Sequence, residues 1–183
     1  MMRGKHLLSE FNILIVFLDK TKAMRKKELR LIHFEYNDVK ELVEEEQKLI
    51  LAARQASENA YAPYSNFHVG SAVLLVNGEV ITGNNQENSA FTAGLCAERV
   101  ALFYANANFP GVAVKTLAVT AKNSIGLVPE PVKPCGSCRQ VIVETEVRFK
   151  KPIRIILDGR NKIQVFEGID NLLPFAFKPD SLD

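Results

Sequence analysis

Residues 68–84 read "HVGSAVLLVNGEVITGN", and Asn77-Gly78 sits at the middle of the run. The flanks "HVGSAVLLV" and "EVITGN" are apolar and β-branched. Asn-Gly between two such runs is the strongest short-range signal of a hairpin, because the tight turn needs residues that tolerate positive φ. Working outward, "VKTLAVTA" (Val114 to Ala121) reads as a largely buried strand. "IRIILD" (Ile153 to Asp158) and "KIQVFE" (Lys162 to Glu167) read as two more, joined by a turn at Gly159-Arg160-Asn161.

Helical spacing separates these strands. Val39, Leu42, Val43, Leu49, Ile50, Ala53 and Ala56 predict an amphipathic helix over Asp38 to about Asn59. "YAPYSNF" (Tyr61 to Phe67) is a loop set by Pro63 and Ser65-Asn66. A second helix is predicted from about Cys96 to Ala107, stopped by Asn108 and Pro110-Gly111. A loop with Pro129, Pro131 and Pro134 precedes a third helix, Cys135 to about Val147. "IDNLLPFAF" predicts a short helix broken at Pro174. The order α, β, β, α, β, α, β, β implies a βαβ crossover and a mixed sheet with helices packed on it. The expected fold is a three-layer α/β/α sandwich with a mixed sheet of about five strands.

Bulk properties bound the rest. The chain has 183 residues, 47% of them hydrophobic, which suits a single core. A net charge of +2 gives no electrostatic case for nucleic acid. Residues 1–30 carry eight Lys or Arg against three acids, so residues 1–38 read as a basic extension and 39–183 as the working domain. Met24, followed by "RKKELR", offers an alternative translation start. The longest apolar run, "FNILIVFL" (Phe11 to Leu18), falls short of the roughly 20 residues a membrane helix needs. Asp19-Lys20-Thr21-Lys22 stands where a signal-peptide cleavage site would be. The expectation is a cytoplasmic protein with no membrane partner. Three cysteines fit a disulfide framework poorly and suit metal ligation in a reducing compartment.

Those cysteines carry the chemistry. In "PVKPCGSCRQVIVE" (Pro131 to Glu144), Cys135 and Cys138 stand three apart at a helix head, so both sulfurs can reach one point. Cys96 opens the preceding helix in "GLCAERVALF" (Gly94 to Phe103). Helix N-termini favour thiolate over thiol. Three thiolates converging make a soft site that suits zinc, and three ligands mark an open, catalytic site, where a structural site is normally closed by four. His6, His33 and His68 are the histidines available for a fourth position, and each is better read as a surface or core group. Water is the expected fourth partner.

An open zinc position calls for a proton acceptor, and Glu98 lies two residues past Cys96. An acid in a first helical turn is also favoured by the helix dipole, by about 0.3–1 kcal/mol. That accounts for an acid there but not for its place directly behind a metal ligand. Arg99 and Arg139 could each be ordinary surface charges. Either could instead donate hydrogen bonds to the sulfurs and offset the negative charge of three thiolates on a dication.

Cys96-Ala97-Glu98-Arg99 together with Pro134-Cys135-Gly136-Ser137-Cys138-Arg139-Gln140 resembles the signature of the cytidine deaminases, in their small subclass with three cysteine ligands. "AYAPYSNFHVGSAVL" (60–74), "GNNQENSAF" (83–91) and "LLPFAF" (172–177) are also similar to that family. The resemblance covers about Leu49 to Lys178. It implies one zinc per chain on Cys96, Cys135 and Cys138, with Glu98 as the acid–base residue in hydrolytic deamination of cytidine and 2′-deoxycytidine. It implies that Asn85 and Glu87 bind the ribose, that Phe67 stacks on the base and that the Ala97 backbone reads the pyrimidine edge. Phe177 would enter a neighbour's site in a homotetramer. Outside the resemblance, Asn85 and Glu87 read as a polar loop, and Phe67 and Phe177 as packing aromatics. Phe91 departs from the family, standing where many relatives have tyrosine. Alternatives are a deaminase of a related cytosine nucleoside antibiotic, a non-catalytic zinc module with a fourth protein ligand, and a polynucleotide deaminase, which lacks a basic groove motif here.

Overall fold

In the computed structural model, which describes residues 25–182, the hairpin is formed by β2 (His68–Leu75) and β3 (Val80–Asn84). Gly78 takes φ +91° at its turn, and its N–H donates to the Leu75 carbonyl at 3.0 Å. The register pairs Leu74 with Val80 and Gly70 with Asn84. β4 (Val114–Asn123) lies antiparallel on the other side of β2. β6 (Arg154–Asp158) runs parallel to β4, and helix α3 (Gly136–Phe149) makes the crossover between them. β7 (Ile163–Glu167) returns antiparallel to β6.

These five are the predicted strands, but the sheet has seven. β1 (Phe34–Tyr36) pairs with β7 at one edge, inside the segment read from sequence as extension. β5 (Gly126–Leu127) pairs with the end of β4. The expectation of five strands is therefore corrected. Strands of three and two residues are too short for an alternating pattern to register; their partners define them. The order is β1-β7-β6-β4-β2-β3, with β5 beside β4. The reading of residues 1–24, as basic extension or as a segment before a start at Met24, lies outside the described residues.

Successive strand residues face opposite sides, and the two sides hold separate cores. Helix α1 (Glu44–Ser57) packs Leu49, Ile50 and Ala53 against Ala72, Leu74, Ala118 and Ile156. Helix α2 (Ala97–Asn108) and α3 pack Ala101, Leu102, Ile142 and Val143 against Val73, Leu117, Val119, Ile155 and Leu157 on the opposite side. Each large side chain so buried contributes about 1.5–3 kcal/mol. α1 is shorter than its sequence pattern. Asp38 and Glu41 close a capping box around a single 3₁₀ turn (Val39–Glu41), and the chain then extends through Leu42 and Val43 before Glu44. The short helix expected near the C-terminus is a 3₁₀ turn, Ile169–Asn171.

Two glycines let the helices press on the open end of the hairpin. A Cβ at Gly70 would stand 2.0 Å from the Ala53 carbonyl of α1. A Cβ at Gly83 would stand 2.6 Å from both the Ala97 carbonyl and the Ala101 nitrogen of α2. Gly83 thus sets how deeply the head of α2 sits on the sheet.

Candidate metal centre and the cleft beside it

Cys96 and Cys135 occupy the N-cap positions of α2 and α3, and neither makes a side-chain capping hydrogen bond. Where Ser or Asp would turn back onto the helix, these thiols are left free to face outward. Cys138 lies one turn further along α3 and is fully buried. Sγ of Cys96 is 3.8 Å from Sγ of Cys135, which is 3.5 Å from Sγ of Cys138, and all three lie within 4.8 Å of one another. A tetrahedral zinc with Zn–S bonds of about 2.3 Å sets its sulfurs about 3.8 Å apart. The cluster therefore fits one zinc ion, and among the described residues no histidine or carboxylate belongs to it. His33 stacks on Phe166, His68 lines a separate cavity, and His6 lies outside the described residues.

The thiols differ. A hydrogen bond with the Cys138 sulfur, and a further one from Arg99, lower the Cys96 pKa to about 5. The same contact with Cys96, and then burial, push Cys138 up. Of these two, Cys96 is the readier thiolate. Glu98 is only 4% exposed, in the first turn of α2. Burial raises its carboxyl above the usual range, assisted by the negative charge of Cys96.

The two arginines do different things. Arg99 Nη2 donates to the Gly94 carbonyl at 3.3 Å and points at Cys96 Sγ at 3.7 Å. Arg139 donates to the Pro134 and Leu172 carbonyls at 2.7 and 2.6 Å. It anchors the backbone just before Cys135, and none of its hydrogen bonds goes to a sulfur.

A cavity of about 590 Å³ opens beside Cys96. Phe67, Asn85, Glu87 and Arg99 line it with Cys96, together with Tyr64, Ser65 and Phe91. That volume suits a small organic ligand. Ala97 and Glu98 are buried directly behind Cys96. Phe177 is not brought into this cavity; it is 59% exposed, and its carbonyl accepts from Gln140. Asn85 Oδ1 accepts from Val69 N–H at 2.8 Å, and Asn85 Nδ2 donates to the Phe67 carbonyl at 2.9 Å. The Glu87 carboxylate accepts from Tyr64 N–H at 2.9 Å and from both the N–H and Oγ–H of Ser65. The Ser65 hydroxyl and then the Tyr64 N–H hold Glu87 below the usual carboxylate range. Sequence reading took Ser65 only as a turn former and did not place it in the site. Phe91 packs edge-on against Tyr64 at 5.9 Å. A second cavity, of about 560 Å³, has its cations already paired, Arg54 with Asp158 and Lys122 with Glu58.

The family profile described as "Cytidine and deoxycytidylate deaminase zinc-binding region" matches residues 43–151. This chain belongs to the cytidine deaminase family. The matched segment holds all three cysteines, Glu98, Phe67, Asn85 and Glu87, while Phe177 lies past its end. The chain is 45% identical over 139 residues to a cytidine deaminase of Halalkalibacterium halodurans, covering 75% of this chain and 97% of that one. It is 35% identical over 133 residues to a cytidine deaminase of Mycobacterium tuberculosis, covering 71% and 87% respectively. Its fold is similar to the crystal structure of cytidine deaminase from Burkholderia pseudomallei, with a TM-score of 0.61 and 39% identity over 71% of this chain and 97% of that one. Cytidine deaminase membership is thus consistent with the three-sulfur cluster and with the mixed sheet carrying it.

Proposed function

We propose that this chain catalyses hydrolytic deamination of cytidine and 2′-deoxycytidine to the uridines, releasing ammonia, in pyrimidine salvage. One observation carries the reading: buried Glu98 stands in the first turn of a helix whose cap, Cys96, belongs to a three-sulfur cluster at the wall of a nucleoside-sized cleft. Cys96, Cys135 and Cys138 would hold zinc, which when bound would supply Lewis-acid activation of water, lowering its pKa from about 15.7 to near 7. Glu98, its carboxyl raised by burial, accepts a proton from the attacking water as its oxygen adds to C4 of the base. It passes that proton to N3, then takes the proton of the new C4 hydroxyl and gives it to the amine, so that the C4–N bond breaks, the carbonyl forms and ammonia leaves.

The other residues bind and orient. Phe67 stacks on the base and the Ala97 backbone reads its polar edge. Asn85 and Glu87 receive the ribose hydroxyls. A carboxylate offers about four acceptor sites, and the loop uses three of those on Glu87, leaving room for a sugar hydroxyl. Arg99 withdraws charge from the Cys96 sulfur, and Arg139 steadies the chain entering Cys135. Phe177, exposed on this chain, reaches the cleft of a neighbouring copy in a homotetramer. The protein works in the cytoplasm on free nucleosides. A non-catalytic zinc module is disfavoured because it calls for a fourth protein ligand, and among the described residues the cluster has three.

The test is loss of cytidine absorbance with purified protein, wild type beside Glu98→Gln, with zinc assayed in both. About one zinc per chain in each, with turnover down about 10²–10⁴-fold in the variant, is expected. Unchanged turnover in Glu98→Gln would overturn the mechanism.

A further inference from the structure

Phe67 and the pair Asn85–Glu87 are joined through their backbone and side chains. The Phe67 carbonyl accepts directly from Asn85 Nδ2 at 2.9 Å. The Phe67 N–H donates to Ser65 Oγ at 3.1 Å, and that hydroxyl donates onward to Glu87 Oε1 at 2.5 Å. Asn66, between the two loop residues, sits at φ +52°, in the left-handed region that asparagine tolerates better than most. That turn aims the Phe67 N–H back at the serine. Both polar groups of the Phe67 peptide are therefore held by the two residues that line the sugar side, one directly and one through Ser65.

We propose that Ser65 is a positioning residue that couples sugar recognition to base stacking, by fixing the Glu87 carboxylate and the Phe67 backbone in one relation. The inference rests on the reading of the cleft as a nucleoside site. Ser65 does not hold the loop's overall path. Backbone bonds do that: Tyr61 N–H to the Asn85 carbonyl at 3.0 Å, Glu87 N–H to the Tyr61 carbonyl at 2.8 Å, and Asn66 N–H to the Ala62 carbonyl at 3.0 Å. Ser65 is also solvent-exposed, so its hydroxyl can be removed without opening a core cavity. What its removal changes is local. Glu87 loses the donor on Oε1, and the Phe67 N–H loses its acceptor.

The test compares wild type, Ser65→Ala and Ser65→Thr on cytidine and 3′-deoxycytidine, with amide hydrogen exchange at Phe67 as a second readout. In Ser65→Ala, KM for cytidine should rise about tenfold, the effect of losing a hydrogen bond to a charged group, with kcat within about twofold. The preference for cytidine over 3′-deoxycytidine should shrink toward one, because a loosened Glu87 no longer rewards the hydroxyl. Ser65→Thr, which keeps the oxygen, should restore both. Phe67 exchange should quicken in Ser65→Ala alone. Unchanged exchange at Phe67 would overturn the proposal. So would a KM rise equal for both nucleosides, which a merely structural role would give. Wild type that turns over neither nucleoside, with Phe67 exchange still dependent on Ser65, would instead overturn the functional reading and leave the relay standing.

Discussion

The two ends of the cleft are built by different means. At the metal end, helix termini present thiols from a packed core; Cys138 and Ala97 are fully buried and Glu98 nearly so. At the other end, where the sugar is proposed to bind, an exposed loop whose path is set by backbone bonds has its detail fixed by the Asn85 and Glu87 side chains, which accept from backbone N–H groups and, from Asn85, donate to a carbonyl. The metal end owes its geometry to helices that move only with the core. The sugar end owes its geometry to a few polar contacts that compete with water. Damage at the metal end should therefore abolish chemistry, and damage at the sugar end should weaken binding while the chemistry survives.

The largest expected effect lies at the metal end. Cys138→Ala removes the buried member of the cluster and leaves two ligands, one of them exposed. Zinc content should fall well below one per chain and turnover to background. Glu98→Gln should match that loss of turnover but keep the zinc. Metal analysis alongside the absorbance assay separates the two. Full zinc retention in Cys138→Ala would break the assignment of this end as a three-sulfur site.

A smaller effect comes from the glycines under the two flanking helices. Gly70→Ala and Gly83→Ala both drive a Cβ into helix backbone, where nothing flexible can give way. Each should lower stability by about 1–3 kcal/mol, the range for overpacking. Only Gly83 lies under the helix that carries Cys96 and Glu98. Gly83→Ala should therefore release zinc to a chelator faster than Gly70→Ala at matched thermal stability. Equal release rates would show that the depth of α2 does not govern the site.

The same division explains what could be read from sequence. Periodicity and the Asn-Gly turn were enough for the hairpin, the three helices and the crossover, because these elements are long enough for a pattern to repeat. The cysteines were legible because a soft ligand at a helix head has few other uses. β1 and β5 were not legible, being too short to carry a pattern and defined only by their partners. Asn85, Glu87 and Phe67 were singled out by resemblance alone; as isolated residues they read as loop and packing. Ser65 escaped altogether. A serine in a Pro-Tyr-Ser-Asn turn explains itself locally, and its bond to Glu87 spans 22 positions. Arg139 shows the limit from the other side. Its place beside Cys138 suggested charge compensation, and the structure sends its donors to carbonyls instead.

The smallest expected effect is the pH response of the sugar end. Glu87 is held below its ordinary pKa of 4.5, first by the Ser65 hydroxyl and then by the Tyr64 N–H. The folded state thus binds its proton less readily than the unfolded chain. Its stabilising contribution is complete above the unfolded value and is lost as pH falls through the lowered folded value. Wild type should be slightly more stable than Glu87→Gln between pH 6 and 8, by a constant margin, and that margin should close below about pH 4. The margin stays small because solvent screens an exposed carboxylate. Acid also protonates the thiols and strips zinc from the other end, but it does so in both proteins. The difference between their melting temperatures across pH therefore isolates Glu87. A margin that widened on acidification would mean that the loop binds the protonated acid, and the carboxylate could not then be the group that holds Ser65.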